Sequence, residues 1–229
     1  MRMILEVVNL HKYYQAGDFK LHVLKGISLR ISRGEFLAIR GPSGAGKSTL
    51  LHIIGGLEKP EEGKVLLNGE DIYYLNDDEL SSLRNKNMGF VFQFYHLIPE
   101  LTILENVALP LLIQGKDKSQ AFNIAGELLS FFKMGNRARH YPNQVSGGEQ
   151  QRAAIARAII TEPQLLLCDE PTGNLDSQIG KEVLKLLQDI NRKKGTTIII
   201  VTHDSEVARW AKREFYIKDG ILSEKGGSV

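Results

Sequence analysis

The spacing of apolar positions changes twice along the 229 residues, and each change predicts a different architecture. Up to about Asp71 the apolar residues come in short or alternating runs, the habit of strands. Such runs lie at Leu5–Val8, Leu21–Ile31, Glu35–Arg40 and Lys64–Leu67. A glycine-rich loop and a short helix, Gly41 to Gly56, interrupt them, and Asn68-Gly69 marks a hairpin turn. From about Phe94 to Glu162 apolar residues recur every three or four positions. This predicts helices over Thr102–Leu112, Ser119–Lys133 and Glu149–Thr161, the last closed by Pro163.

Strand and helix then alternate. Leu165–Cys168 is wholly apolar, as expected of a strand buried on both faces, and Thr197–Thr202 is a second such run. Between them Asp176 is placed to cap a helix carrying Ile179, Val183, Leu186, Leu187 and Ile190 on one face, with Gly195 as its end. The pattern predicts an α/β fold: a parallel sheet with crossover helices, built from residues 1–93 and 163–229, with a helical subdomain, 94–162, inserted between strands.

Composition narrows the function. A chain of this length buries roughly 70% of its unfolded surface, so it needs no disulfide or structural metal, and the single cysteine, Cys168, allows no intrachain bridge. One cysteine points to a reducing compartment. The N-terminus has no signal-peptide pattern. The longest apolar runs, such as Thr196–Val201, fall far short of the ~20 residues that span a bilayer, so the chain is not expected to cross a membrane alone. Twenty-nine basic and 27 acidic residues, well mixed, leave no basic stripe for nucleic acid. The densest basic cluster, Arg192–Lys193–Lys194, falls where a helix C-terminus favours cations. A short polar tail runs from Lys225 to Val229.

Ligands of open parallel sheets bind beyond the carboxyl ends of the strands, and four predicted strands end in groups suited to phosphate chemistry. Glu35–Arg40 runs into Gly41-Pro42-Ser43-Gly44-Ala45-Gly46-Lys47-Ser48-Thr49, the G-x-x-x-x-G-K-[ST] phosphate-loop pattern. Its backbone N–H groups and the following helix would cradle ATP phosphates, Lys47 would reach the β- and γ-phosphates, and Ser48 would take Mg²⁺. Leu165–Cys168 runs into Asp169, placed to hold Mg²⁺, and Glu170, placed as general base for an attacking water. Gly89–Phe92 runs into Gln93, a candidate sensor of Mg²⁺ or water. Thr197–Thr202 runs into His203, a candidate γ-phosphate contact. Ser146, Gly147 and Gly148, in Val-Ser-Gly-Gly-Glu-Gln-Gln-Arg, are expected to leave backbone N–H groups open at a helix start, a second anion nest. Tyr13 and Tyr14 each offer a ring for stacking on adenine.

In this order, the motifs resemble the ATP-binding cassette (ABC) family over about Leu5 to Leu222. The resemblance implies a RecA-like P-loop core, an antiparallel β subdomain and a helical subdomain carrying the signature loop. It also implies an ATP-bound head-to-tail homodimer, each nucleotide lying between Lys47 of one chain and Ser146–Gly148 of the other. The adenine-stacking tyrosine of the family aligns with Tyr14, with Tyr13 the alternative. The segment Asn174–Leu175–Asp176 matches the one that links the two sites. Phe92–Leu111, Pro171–Asp176 and Val145–Arg152 look like the lipoprotein-releasing LolD type and its relatives, the MacB exporter cassettes and the division-associated FtsE. That likeness implies an ATPase powering integral membrane transporter subunits from the cytoplasmic face of the inner membrane, with no nucleic-acid partner. MacB-type cassettes are usually fused to a membrane domain, which favours the other two. Val145 and Glu149 depart from the family's common Leu-Ser-Gly-Gly-Gln form, at positions whose side chains need not touch phosphate. A soluble ABC protein acting on DNA or ribosomes and a small-molecule kinase are the competing readings. The chain has neither the coiled-coil insertion nor the paired cassettes of the former, and a kinase has no use for Val145–Arg152.

Overall fold

The computed structural model describes residues 2–17 and 19–224; the polar tail lies outside them. Two sheets organise the chain. The strands β1 (Met3–Ala16), β2 (Phe19–Ser32), β4 (Glu62–Leu67) and β5 (Glu70–Asp71) form an antiparallel sheet of order β2-β1-β4-β5. The second sheet contains β3 (Phe36–Arg40), β6 (Met88–Val91), β7 (Leu165–Asp169), β8 (Thr197–Thr202), β9 (Arg213–Lys218) and β10 (Ile221–Glu224). Its order is β10-β9-β3-β8-β7-β6, parallel throughout except for the β10 edge.

Alternation within each parallel strand divides the core in two. Phe36, Val91, Leu166, Cys168, Ile198 and Ile200 face one apolar cluster, shared with the helices. Leu37, Ile39, Leu165, Leu167, Ile199 and Val201 face the other, shared with the antiparallel sheet. Burial on both sides explains why β7 and β8 read as unbroken apolar runs. The helices are α1 (Lys47–Ile54), α2 (Asp77–Asn87), α3 (Ile103–Ile113), α4 (Lys118–Phe131), α5 (Gly147–Ile159), α6 (Ser177–Lys194) and α7 (Ser205–Ala208). Of these, α3 to α5 lie within the stretch expected to be helical.

Several expectations need correction. β1 and β2 are 14-residue strands, not short ones. Polar His11 to Gln15 pair with β2 as fully as Leu5 and Val7 do, because a half-exposed antiparallel ribbon does not require alternation at every residue. No element was expected over α2, and it buries no residue. Its half-buried Leu80 and Leu83 pack against the core, and a reciprocal Asn76–Glu79 cap and Arg84 Nη1 donating to Gly56 O at 2.6 Å hold it further; two leucines among polar residues make too thin a stripe to read. On α6 the buried stripe is Gly180, Val183, Leu184, Leu187, Ile190 and Asn191. Ile179 and Leu186 lie at its half-buried margins. Asp176 does cap this helix, accepting from the Gln178 and Ile179 N–H groups, and Gly195 ends it in the left-handed region. Arg192, Lys193 and Lys194 fill its last turn.

Candidate active site

Register brings the four strand ends to one edge. Arg40 lies opposite Thr202, Asp169 opposite Val201, and Val91 opposite Cys168. The residues that follow them, Gly41, His203, Glu170 and Gln93, therefore share the carboxyl edge of the sheet.

The phosphate loop is tied down from both sides. Gly41 N–H donates to Thr202 O at 3.2 Å and Ala45 N–H to Pro42 O at 3.3 Å. Gly46 stands at the mouth of α1 with φ 98°, a conformation that costs glycine little and any other residue much. Pro42, Ser43 and Gly44 are exposed at the tip. Lys47 is buried and folded back on its own loop, Nζ donating to Gly41 O and Pro42 O, both at 2.9 Å. An ammonium has three donors, so one is left free and the other two hold the side chain inside the cradle. Ser48 is exposed in the first turn, with Thr49 half-buried behind it.

Ser48 Oγ donates to Asp169 Oδ1 at 3.0 Å, which brings the two hard-oxygen candidates for Mg²⁺ together. Burial holds the Asp169 carboxyl above the ordinary Asp range, the Ser48 hydrogen bond, His52 and Lys47 opposing that shift and Glu170 adding to it. Among the described residues no group of three or more His, Cys, Asp or Glu side chains is placed to hold a metal ion, a donor set too sparse for an all-protein cage. It suits a cation shared with phosphate oxygens and water.

Glu170 follows Asp169 with φ 44°, a strained backbone for a residue with a Cβ. Its carboxylate accepts Thr202 Oγ1 on Oε2 at 3.0 Å. On Oε1 it accepts the His203 N–H at 2.9 Å and meets His203 Nδ1 at 2.8 Å. A carboxylate offers about four acceptor positions; three are filled, leaving one for a water. Since an ionised carboxylate only accepts, Nδ1 of His203 carries the proton here. In the neutral ring that leaves Nε2 a lone pair, so a hydrogen bond from Nε2 to phosphate requires the imidazolium or a turned ring. Gln93 Nε2 donates to Asn174 Oδ1 at 3.2 Å, and Asn174 Nδ2 returns a bond to Gln93 O at 3.0 Å.

The two tyrosines part company. Tyr13 lies against the His22 ring, centroids 4.1 Å apart. Tyr14 is about one-third exposed, its hydroxyl donating to Glu58 at 2.7 Å, with Lys12 Nζ 5.3 Å from its ring centre. Burial first, then the Glu58 bond, raises the Tyr14 pKa.

Ser146 caps α5 differently from expectation. Its Oγ accepts the Glu149 N–H at 3.3 Å, and its own N–H, expected to be open, donates to Glu149 Oε2 at 2.8 Å. Of the three N–H groups expected to form the nest, only those of Gly147 and Gly148 therefore remain candidates. Glu149 is the structural partner: Arg137 Nε holds its other oxygen at 2.9 Å, and these bonds keep the carboxyl below its usual range. Strand ends and motifs give no sign of His52 as a site residue. Asn174 lies in the segment that the resemblance places between the two sites, though its pairing with Gln93 was not expected, and Thr202, next to His203, sits where a strand-end argument reaches.

The family model described as ABC transporter matches residues 24–173. This chain belongs to the ABC transporter family. Over 96% of its length it is 48% identical to the lipoprotein-releasing system ATP-binding protein LolD of Shewanella frigidimarina, covering 92% of that protein. It is 50% identical to the LolD protein of Geobacter metallireducens over 96% of this chain and 98% of that one. Among solved structures, the dimeric cassette MJ0796 superposes with a TM-score of 0.90 at 43% identity, covering 98% of this chain and all of the other. That cassette is also known in a post-hydrolysis state bound to ADP and Pi. The cassette described here is accordingly an ATP-binding ATPase of the transporter type, with the mixed α/β fold of its relatives. No helix among its described residues is long and apolar enough to cross a membrane.

Proposed function

We propose that this cassette powers a separate membrane subunit that releases lipoproteins from the inner membrane, working at the cytoplasmic face as an ATP-bound head-to-tail homodimer. The observation that carries the catalytic part is the convergence of Lys47, Ser48, Asp169, Glu170 and His203 on one sheet edge. The likeness to two LolD proteins supports the lipoprotein-releasing part.

In this reading the loop Gly41 to Gly46 and the first turn of α1, through Thr49, wrap the phosphates with N–H groups. Lys47 turns from its carbonyl partners to the β- and γ-phosphates. Ser48, Asp169 and Gln93 would hold Mg²⁺, which would supply charge neutralisation on the phosphates. Glu170 takes a water on its remaining acceptor position, and Thr202 and His203 fix the carboxylate so that this position faces the nucleotide. The more exposed Tyr14 is the better adenine platform, since one face of the Tyr13 ring is already taken by His22. Ser146 sets the helix entry, and the Gly147 and Gly148 N–H groups meet the nucleotide of the other chain. The division of the chain into a core and a helical subdomain at 94–162 belongs to the same proposal, because it lets the second nest approach a partner as a unit.

The test is purification of the cassette from detergent-solubilised membranes with its bound proteins identified by mass. Membrane subunits with large extracytoplasmic domains carrying lipoprotein are the expected result. A small division-type membrane protein moves the assignment to the FtsE class, and an exporter-type partner moves it to the MacB class. Ribosomes or DNA without a membrane protein overturn the transport role.

A further inference from the structure

Arg157 lies in the last turn of α5, the helix that Ser146 caps, and takes no part in the site described above. Its guanidinium donates Nη1 to His96 O at 2.6 Å and Nη2 to Tyr95 O at 2.8 Å. Desolvation lowers its pKa, so these two carbonyls stand in for water. Tyr95 and His96 are consecutive non-glycine residues in the left-handed region, φ 61° and 48°, a turn that persists only where its surroundings impose it. Tyr95 N–H bonds Phe92 O, His96 N–H bonds Phe94 O, and the His96 ring packs on Phe92 at 4.7 Å. The turn is thus built directly onto Gln93. At its other side Tyr95 reaches the signature loop: a Cβ added at Gly147 would lie 2.8 Å from Tyr95 Oη.

We propose that Arg157 is a positioning residue that locks the Tyr95–His96 turn to α5, so that Gln93 and the Ser146–Gly148 loop move as one body. This rests on the reading in which Gln93 attends one nucleotide and Ser146–Gly148 the other. A displacement of Gln93 at one ATP is then carried through two successive carbonyls into the helix that presents the signature loop to the second ATP. A planar fork can hold two adjacent carbonyls at fixed angles; a lysine, a point charge on a flexible stem, holds them loosely. The link lies outside the chemistry, so its loss should spare nucleotide binding by a single chain and weaken only assembly across two.

The experiment places Arg157→Met and Arg157→Lys in full-length Glu170→Gln protein. ATP-dependent dimerisation is followed by analytical ultracentrifugation, and affinity for a fluorescent ATP analogue is measured at protein concentrations where the chain is monomeric. Arg157→Met should raise the protein concentration for half-dimerisation about tenfold or more, with monomer affinity within about twofold, and Arg157→Lys should fall between it and the parent. Dimerisation equal to the parent overturns the proposal, as does a parallel loss of monomer affinity. If the methionine variant fails to fold, the lysine variant decides alone: parental dimerisation overturns the link, and weakened dimerisation with intact monomer binding supports it. If the Glu170→Gln parent itself stays monomeric with ATP, the head-to-tail reading fails and takes this proposal with it. A dimerising parent with an indifferent Arg157 sinks the link alone.

Discussion

At the scale of single residues, the site rests on groups that are costly to keep. Glu170 holds a left-handed backbone and Asp169 a half-buried carboxylate; both are tolerable because neighbours fix them. Glu170→Gln keeps the shape and the Thr202 contact but loses basicity. It should cut ATP turnover about a hundredfold or more while leaving nucleotide affinity of the monomer within a few-fold, measured by phosphate release and by equilibrium binding. Burial raises the pKa of Asp169. The charged form is disfavoured in the folded protein, so the empty protein gains stability as pH falls through that pKa and loses it as pH rises. Asp169→Asn should therefore raise the melting temperature of the nucleotide-free protein at neutral pH, by roughly 2–4 °C if the gain is about 1 kcal/mol, while Mg²⁺-dependent hydrolysis collapses. A lowered melting temperature would contradict the burial argument. Tyr14→Ala should weaken ATP binding more than Tyr13→Ala, since the Tyr14 ring is the more exposed of the two; equal losses would return the choice to Tyr13.

At the scale of elements, α5 shows how one motif does two jobs. Ser146 and Glu149 form a reciprocal cap, so Ser146→Ala should cost about 1 kcal/mol of stability, readable by denaturant unfolding. In the proposed dimer it should also abolish hydrolysis while sparing binding to the monomer, and normal turnover would remove the signature loop from the chemistry. The departure from glutamine at 149 has a use here, because a carboxylate both completes the cap and pairs with Arg137. The helix α6 is a plainer case. Leu187 is fully buried on its inward stripe, and Leu187→Ala should cost about 2–5 kcal/mol with little change in activity per folded molecule.

At the scale of the whole molecule, the central sheet acts as a jig. Its parallel strands are buried on both faces, so their apolar residues fix a register in which Arg40, Thr202 and Asp169 end in line. Four segments spread over some 160 residues of chain thereby deliver Gly41, Gln93, Glu170 and His203 to one edge. The phosphate loop, the Asp-Glu pair and the strand-end histidine were legible because each couples a local residue pattern to an apolar run. By contrast, α2 is not legible, since it buries no residue fully and only Leu80 and Leu83 pack inward, too few to set a period.

The sequence by itself determined the candidates: which residues are proposed to carry phosphate, cation and base, and which strands deliver them, because burial on both sheet faces and the glycine-rich loop leave local marks. Only the tertiary structure decided how those groups are held. That Glu170 is clasped by Thr202 and His203, that Lys47 waits on its own carbonyls, and that Arg157 grips Tyr95 and His96 are all contacts between chain segments brought together by folding. A hydrogen bond across such a distance constrains two side chains in space while leaving the spacing and hydropathy of either segment unchanged.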